Sequence, residues 1–94
     1  MRRAPRTDAN QGEIVKGLRA YGATVESLAG QHRGCPDILV GFRGRNYLCE
    51  IKDGSKPPSG RMLTDMQVVW HATWEGQVNV VASLEEAIEV LNES

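Results

Sequence analysis

The chain has 94 residues, of which 40% are hydrophobic and 24% charged, a composition typical of one small globular domain with a modest core. Its formal net charge of −1 argues at first against a nucleic-acid partner, and its two cysteines show neither a disulfide pattern nor zinc-ligand spacing. Because it has neither a signal-peptide core nor a membrane-spanning run, we expect a cytoplasmic protein, from a bacterium or a phage-infected cell.

The first segment with apolar periodicity begins near residue 10. Residues 1–9 carry three arginines and no such pattern, which predicts a flexible basic arm. A helix is predicted over residues 10–21, with Asn10 as its N-cap and Gly22 at its end. Its apolar stripe consists of Ile14, Val15, Leu18 and Tyr21.

Three strands are predicted next. Residues 24–28 alternate as a half-buried strand, and residues 38–42 and 47–52 form two more, joined by a hairpin turn at 43–46. Gly44 and Asn46 both tolerate the positive φ angles that such a turn requires.

Charged residues stand at the ends of the two central strands. Asp37 directly precedes one of them, and Glu50 and Lys52 lie two residues apart in the other, so these two share a face about 7 Å apart. If the strands pair, two carboxylates and one ammonium meet at one edge of the sheet, a set that suits Mg²⁺ with a cation beside it. The alternative is a solvated ion pair of little energetic weight. Charges set into apolar strands favour a site.

The rest of the chain predicts a loop, a helix, a strand and a final helix. Residues 53–61 are rich in Gly, Pro and Ser and follow Lys52 at once. The helix runs from Thr64, its cap, to about Trp74, with Val68, Val69 and Ala72 expected to pack inward. Residues 78–82 form the last strand, and Ser83 caps the last helix.

Three segments together resemble the stand-alone VRR-NUC domains of the PD-(D/E)xK nuclease superfamily. They are residues 34–40 (GCPDILV), 47–52 (YLCEIK) and 63–70 (LTDMQVVW), and the resemblance covers residues 10–94 as a single domain. It implies an α/β fold with a restriction-endonuclease-like α-β-β-β-α-β core, a mixed sheet flanked by helices and a C-terminal helix. One departure is that HRGC precedes Pro36, so the Val-Arg-Arg triplet that names the family is not intact.

The resemblance also implies metal-dependent DNA cleavage, commonly by a homodimer related to Holliday-junction resolvases. Glu13 matches the acidic residue that the first helix points at the metal, although Glu in a first helical turn is also favoured by the helix dipole. Gln67 matches the glutamine of Gln-x-x-Trp, although glutamine on a helix is usually solvent-facing. The expected catalytic residues are Glu13, Asp37, Glu50, Lys52 and Gln67, and the expected ligands of Mg²⁺ or Mn²⁺ are Asp37, Glu50, Glu13 and the Ile51 carbonyl.

The charge distribution is uneven. All eleven Lys and Arg lie within residues 1–61 against six acids, and residues 62–94 carry six acids and no base. A basic face of this kind is typical of a DNA-binding protein, and scattered solubilising charge is the alternative. The expected DNA contacts are Lys16, Arg33, Lys56 and Arg61.

The sequence therefore predicts a divalent-metal-dependent DNA endonuclease, selective for junctions, flaps or nicks and acting as a homodimer. A catalytically silent DNA-binding module with the same fold is the main alternative. A small toxin or an RNA-cleaving variant would share the chemistry.

Overall fold

A computed structural model describes residues 9–93 of the chain. The predicted N-terminal arm therefore lies, except for Ala9, outside the described residues. Seven regular elements follow one another, together with a single 3-10 turn at Pro58–Gly60. They are α1 (Gln11–Tyr21), β1 (Thr24–Ser27), β2 (Ile38–Phe42), β3 (Arg45–Ile51), α2 (Asp65–Thr73), β4 (Asn79–Val81) and α3 (Leu84–Asn92).

The four strands form one mixed sheet in the order β1-β2-β3-β4. β1, β2 and β3 are antiparallel neighbours, whereas β4 runs parallel to β3. The parallel pair is connected through α2, because a parallel connection must cross from one end of the sheet to the other. This architecture confirms the predicted α-β-β-β-α-β core with a C-terminal helix.

The core lies between one face of the sheet and the helices α1 and α3. Alternate strand residues such as Ile38, Val40 and Ile51 are buried there, against Ile14 and Leu18 of α1 and Ala87 and Leu91 of α3. Cys49 belongs to the same face, and burial raises the pKa of its thiol to about 11. Because neighbouring strand residues alternate faces, Glu50 is directed to the opposite side of the sheet.

The hairpin between β2 and β3 turns on Arg43 and Gly44, which both have positive φ angles of 50° and 78°. Such a two-residue turn matches the right-handed twist of the flanking strands. The sequence indicated Gly44 and Asn46 for this role, but Asn46 lies within β3 opposite Gly41. Arg43 adopts the left-handed conformation instead, with its guanidinium over the ring of Phe42.

Helix α2 has no buried residue, which corrects the prediction that Val68, Val69 and Ala72 pack inward. Val68 and Val69 are 51% and 62% exposed, and Ala72 is exposed as well. The reason is that α2 faces the sheet at the end where Glu50 lies, so its half-buried side consists of Gln67, Trp70 and His71. Periodicity of apolar residues alone could not show this orientation.

Gly34 brings the loop before β2 into contact with α2. Its φ is +83°, and a Cβ atom there would overlap the backbone carbonyl of Met66. Only glycine allows both this conformation and this approach without strain. Gly34 thereby holds the segment that leads to Asp37 against the helix that carries Gln67.

Within residues 9–93, no helix is both long and apolar enough to cross a membrane.

Candidate active site

The carboxylate of Asp37 is fixed by the backbone of the neighbouring strand. Asp37 directly precedes β2, whose first residue pairs with Cys49 of β3. The N–H of Ile51 donates a hydrogen bond to Asp37 Oδ2 at 2.7 Å. Asp37 therefore sits beside the end of β3, as the strand pairing predicted.

Glu50 and Lys52 are the only charged residues that are buried in the described part of the chain, with exposures of 1% and 9%. Both are directed to the face of the sheet opposite Cys49 and Ile51. Removing a carboxylate and an ammonium from water costs several kcal/mol each unless hydrogen bonds and opposite charge compensate. A stable fold does not require this burial, and buried charges of this kind are typical of functional sites.

The side-chain amide of Gln67 bridges these two charges. Its Nε2 donates to Glu50 Oε2 at 2.9 Å, and its Oε1 accepts from Lys52 Nζ at 2.8 Å. A carboxylate can only accept and an ammonium can only donate, so this orientation of the amide is the one that satisfies both partners. Gln67 thus sets the positions of Glu50 and Lys52 relative to each other.

The same glutamine also caps helix α2. Gln67 Oε1 accepts from the backbone N–H of Thr64 at 2.9 Å, and Thr64 Oγ1 accepts from the backbone N–H of Gln67 at 3.2 Å. This reciprocal pair is a capping box, which satisfies two N–H groups at the start of the helix. The start of α2 is therefore tied directly to Glu50 and Lys52.

His71 is a site residue that the sequence analysis did not identify. Its Nε2 lies 3.8 Å from Glu50 Oε1. Burial lowers the pKa of the imidazole, and the Lys52 ammonium lowers it further. The lowered pKa favours the neutral form of the imidazole beside Glu50. Its position four residues after Gln67, on the same face of α2, is the signal that could have identified it.

Cys35 lies close to both carboxylates. Burial raises the pKa of its thiol, and the charges of Glu50 and Asp37 raise it further. The thiol is therefore protonated at neutral pH and a poor nucleophile.

Glu13 lines a different cleft from Asp37. It is exposed and lines a cleft with Asn10, Asp53 and Glu86, whereas Asp37 lines a different cleft with Gln11 and the loop that precedes β2. In the described part of the chain, no group of three or more His, Cys, Asp or Glu side chains could hold a metal ion. The structure thus places Asp37 beside the end of β3, next to Glu50, and Glu13 in a different cleft from Asp37.

Asn10 also differs from its predicted role. It occupies the N-cap position of α1, but its side chain makes no capping hydrogen bond. Its Nδ2 donates to the backbone carbonyls of Lys52 at 3.0 Å and Ala82 at 3.1 Å. Asn10 therefore fastens the start of α1 to the chain just beyond β3 and β4.

Without Glu13, the oxygen ligands at the end of β3 still suit a hard divalent cation such as Mg²⁺ or Mn²⁺. Asp37 and Glu50 offer carboxylate oxygens, and the peptide of Ile51, whose N–H is held by Asp37, offers a carbonyl oxygen. Mg²⁺ is commonly held by one or two carboxylates together with water and substrate phosphates, and not by an all-protein cage. Two carboxylates without a third are consistent with that mode.

Three of the four predicted DNA-contacting residues line different clefts. Arg33 lines the cleft of Asp37, and Lys16 lines a groove between α1 and β1 together with Arg19 and Gln11. Arg61 lines the cleft of Glu13, where the other charged residues are acidic, and its Nε donates to the Lys56 carbonyl. The cleft of Arg61 therefore carries more negative than positive charge.

Comparison with solved structures identifies a similar domain. A chain described as "VRR_NUC domain" matches with a TM-score of 0.62 and 26% sequence identity, over 89% of this chain and 96% of the other. No protein-family model matches the sequence, and a search among curated proteins gives no match. The structural match confirms the predicted resemblance to a VRR-NUC domain, and the chain is a nuclease-fold domain.

Replacement of Gln67 tests how the buried charges are held. Gln67→Met keeps the volume but removes both hydrogen bonds to Glu50 and Lys52, together with the bond to Thr64. We expect it to lower the free energy of unfolding by about 3–6 kcal/mol, because it removes two hydrogen bonds to charged groups and each contributes about 1.5–3 kcal/mol. Urea denaturation at pH 7 measures this loss.

The matched control is Thr64→Ala, which removes the cap and leaves the bonds to Glu50 and Lys52. We expect a loss of about 1 kcal/mol from this change. Equal losses in the two variants would mean that Gln67 acts only as a helix cap.

Proposed function

We propose that this chain is a divalent-metal-dependent DNA endonuclease that hydrolyses phosphodiester bonds. The observation that carries the proposal is the buried Glu50 and Lys52, joined by Gln67 and placed beside Asp37. The likeness to a VRR_NUC domain supports the choice of a nuclease over other metal-dependent hydrolases.

Asp37 and Glu50 would hold the metal ion, with the Ile51 carbonyl as a further ligand. A bound Mg²⁺ or Mn²⁺ supplies Lewis-acid polarisation of the phosphate and a lowered pKa of bound water. The protein's own contribution is to keep the two carboxylates in place before substrate arrives. The Ile51 N–H does this for Asp37, and Gln67 does it for Glu50.

Lys52 would act on the phosphate or on the attacking water. Its ammonium has three protons, and the bond to Gln67 Oε1 uses one of them. The positive charge favours the additional negative charge that develops on phosphate oxygens in the transition state. Because the bond to Gln67 orients the ammonium in advance, little reorganisation is needed during the reaction.

The Cys35 thiol, which the nearby carboxylates keep protonated, is unsuited to covalent catalysis. Direct attack by water is therefore the proposed route.

DNA would reach the site along the groove between α1 and β1. Lys16 and Arg19 line that groove, and Gln11 borders both it and the cleft of Asp37. Arg33 lies in the latter cleft. The cleft of Arg61 is also lined by Glu13, Asp53, Glu85 and Glu86, and these carboxylates would repel phosphate.

The proposed enzyme acts as a homodimer with a preference for junction, flap or nicked DNA. Support for self-association comes from α2, whose outer side exposes Met66, Val68 and Val69, preceded by exposed Met62. Apolar residues grouped in this way are typical of an interaction surface. Two copies would present two sites to a substrate with two strands.

Cleavage assays test the catalytic proposal directly. The purified chain is incubated with linear, nicked, flap and four-way-junction DNA in Mg²⁺, in Mn²⁺ and in EDTA. We expect metal-dependent cleavage, and we expect Asp37→Asn and Lys52→Met each to slow it by at least about a hundredfold, because each removes a group that acts in the transition state.

Asp53→Asn is the matched control, since Asp53 lies in the adjacent loop and bonds to Ser55. It should cut at close to the original rate. Circular dichroism of each variant shows whether the fold is kept. DNA binding without cleavage in any metal, and without Asp37-dependent heat on Mn²⁺ titration, would instead identify a catalytically silent binding module. Cleavage of RNA in preference to DNA would reassign the substrate.

Charge neutralisation on the two sides of the site tests the DNA path. In EDTA, Lys16→Ala should weaken DNA binding and reduce the slope of log K against log salt by about 0.9, the value for one phosphate contact. Lys56→Ala serves as the control on the acidic side and should change the slope little. Fluorescence anisotropy over a salt series measures both. A reduced slope for Lys56→Ala with an unchanged slope for Lys16→Ala would instead place the DNA against the 53–61 loop.

Self-association is tested with a charge on the exposed side of α2. Val69→Glu should increase the monomer fraction in sedimentation velocity, because a carboxylate would have to be buried in the interface. Ala20→Glu is the control, since it adds the same charge at an exposed position of α1. A monomeric original chain, or a Val69→Glu protein that still dimerises, would exclude α2 as the interface.

A further inference from the structure

The candidate metal site has two carboxylates, which leaves the contribution of α1 unassigned. Glu13 lies in the cleft with Asp53, Glu85 and Glu86, away from Asp37. Among residues 9–93, no third Asp, Glu, His or Cys joins Asp37 and Glu50 in a metal-binding group. Hard divalent cations take six or more oxygen ligands, and amide oxygens are among those they accept. Because such cations favour oxygen over nitrogen or sulfur, a neutral amide oxygen is the ligand to expect in addition to the two carboxylates.

Gln11, the first residue of α1, has such an oxygen in the appropriate cleft. It lines the same cleft as Asp37 and Cys35. Its Oε1 is buried and has no hydrogen-bond partner among the described residues. An amide oxygen buried without a partner costs free energy, and such atoms in a folded protein commonly mark a missing ion, water or ligand.

The position of Gln11 is fixed by its neighbour in the chain. The Asn10 side chain bonds to the carbonyl of Lys52, directly beyond Glu50 and Ile51. This contact holds the first turn of α1 at the end of β3 that carries the two carboxylates. The Asn10 Oδ1 is also buried without a partner in the described structure, but Asn10 lines the cleft of Glu13 and not that of Asp37.

We propose that Gln11 Oε1 is a neutral ligand of the divalent cation that Asp37 and Glu50 hold, in place of Glu13. This inference rests on the proposed function, because it requires that the cation binds there. A neutral amide adds no negative charge to the site. The site therefore binds the free cation more weakly than one with three carboxylates and depends more on phosphate oxygens of the substrate to complete the coordination.

Titration of the protein with Mn²⁺ in the absence of DNA tests the assignment. Gln11→Met keeps the length of the side chain without its oxygen and should weaken Mn²⁺ binding by about tenfold. Gln11→Glu supplies a charged oxygen at the same place and should strengthen binding by a similar factor. Glu13→Gln should leave the affinity within about twofold, because its carboxylate lies in the other cleft. Isothermal calorimetry measures all three.

Metal-free stability provides a second, independent measurement. Because Gln11→Met removes a buried oxygen that has no partner, its urea midpoint in EDTA should be equal to or higher than that of the original chain. A lower midpoint together with unchanged Mn²⁺ affinity would show that Gln11 has a structural role only, and the inference would be overturned.

The outcomes also separate this inference from the function on which it rests. If the original chain gives Mn²⁺ heat that Asp37→Asn abolishes, the metal site exists. If Gln11→Met and Gln11→Glu then both bind Mn²⁺ as the original chain does, or if Glu13→Gln weakens binding tenfold, Gln11 is not the ligand. If no heat depends on Asp37, the proposed metal site itself is wrong.

Discussion

The hydrogen bonds of the Gln67 amide are the interaction on which the arrangement of the site depends. Two opposite charges are buried on one face of the sheet, and burial of either charge alone would cost several kcal/mol. The amide accepts from Lys52 and donates to Glu50, so it satisfies both without adding charge. A glutamate there could not donate to Glu50, and a lysine could not accept from Lys52.

This interaction also explains how α2 is attached to the sheet. Most helices of small domains are held by an apolar face, but α2 has no buried residue. The bonds from Gln67, the contact of His71 with Glu50 and the close approach of Gly34 to Met66 replace that face. The stability of α2 and the geometry of the candidate site are therefore set by the same few contacts. A change that loosens one is expected to loosen the other.

The sequence predicted the sheet and the placement of Asp37, Glu50 and Lys52 at one end of it, and the physical reason is the regularity of strands. Once β2 and β3 pair through a short turn, alternation puts Glu50 and Lys52 on one face, and register puts Asp37 beside Ile51. The sequence pattern of the helices predicted less about where their polar side chains lie. In α1 the apolar stripe identifies Ile14 and Leu18 as buried, but it does not show which polar residue of the first turn faces the cleft of Asp37. Gln11 and Glu13 lie on nearly opposite sides of the helix, about 160° apart. Which of them lines the cleft of Asp37 depends on how α1 packs against the sheet, and the structure places Gln11 there and Glu13 in the other cleft.

One side of α2 contacts the candidate site, and the opposite side is open to solvent. Gln67 and His71 contact Glu50 from the half-buried side, whereas Val68 and Val69 are exposed to solvent. Val68 and Val69 directly follow Gln67 in this helix of nine residues, so all three lie within one turn. Any partner that packs on the valines would therefore restrict the motion of Gln67 as well. Because Glu50 and Lys52 depend on that one amide, association through α2 would make the candidate site more rigid without contacting it.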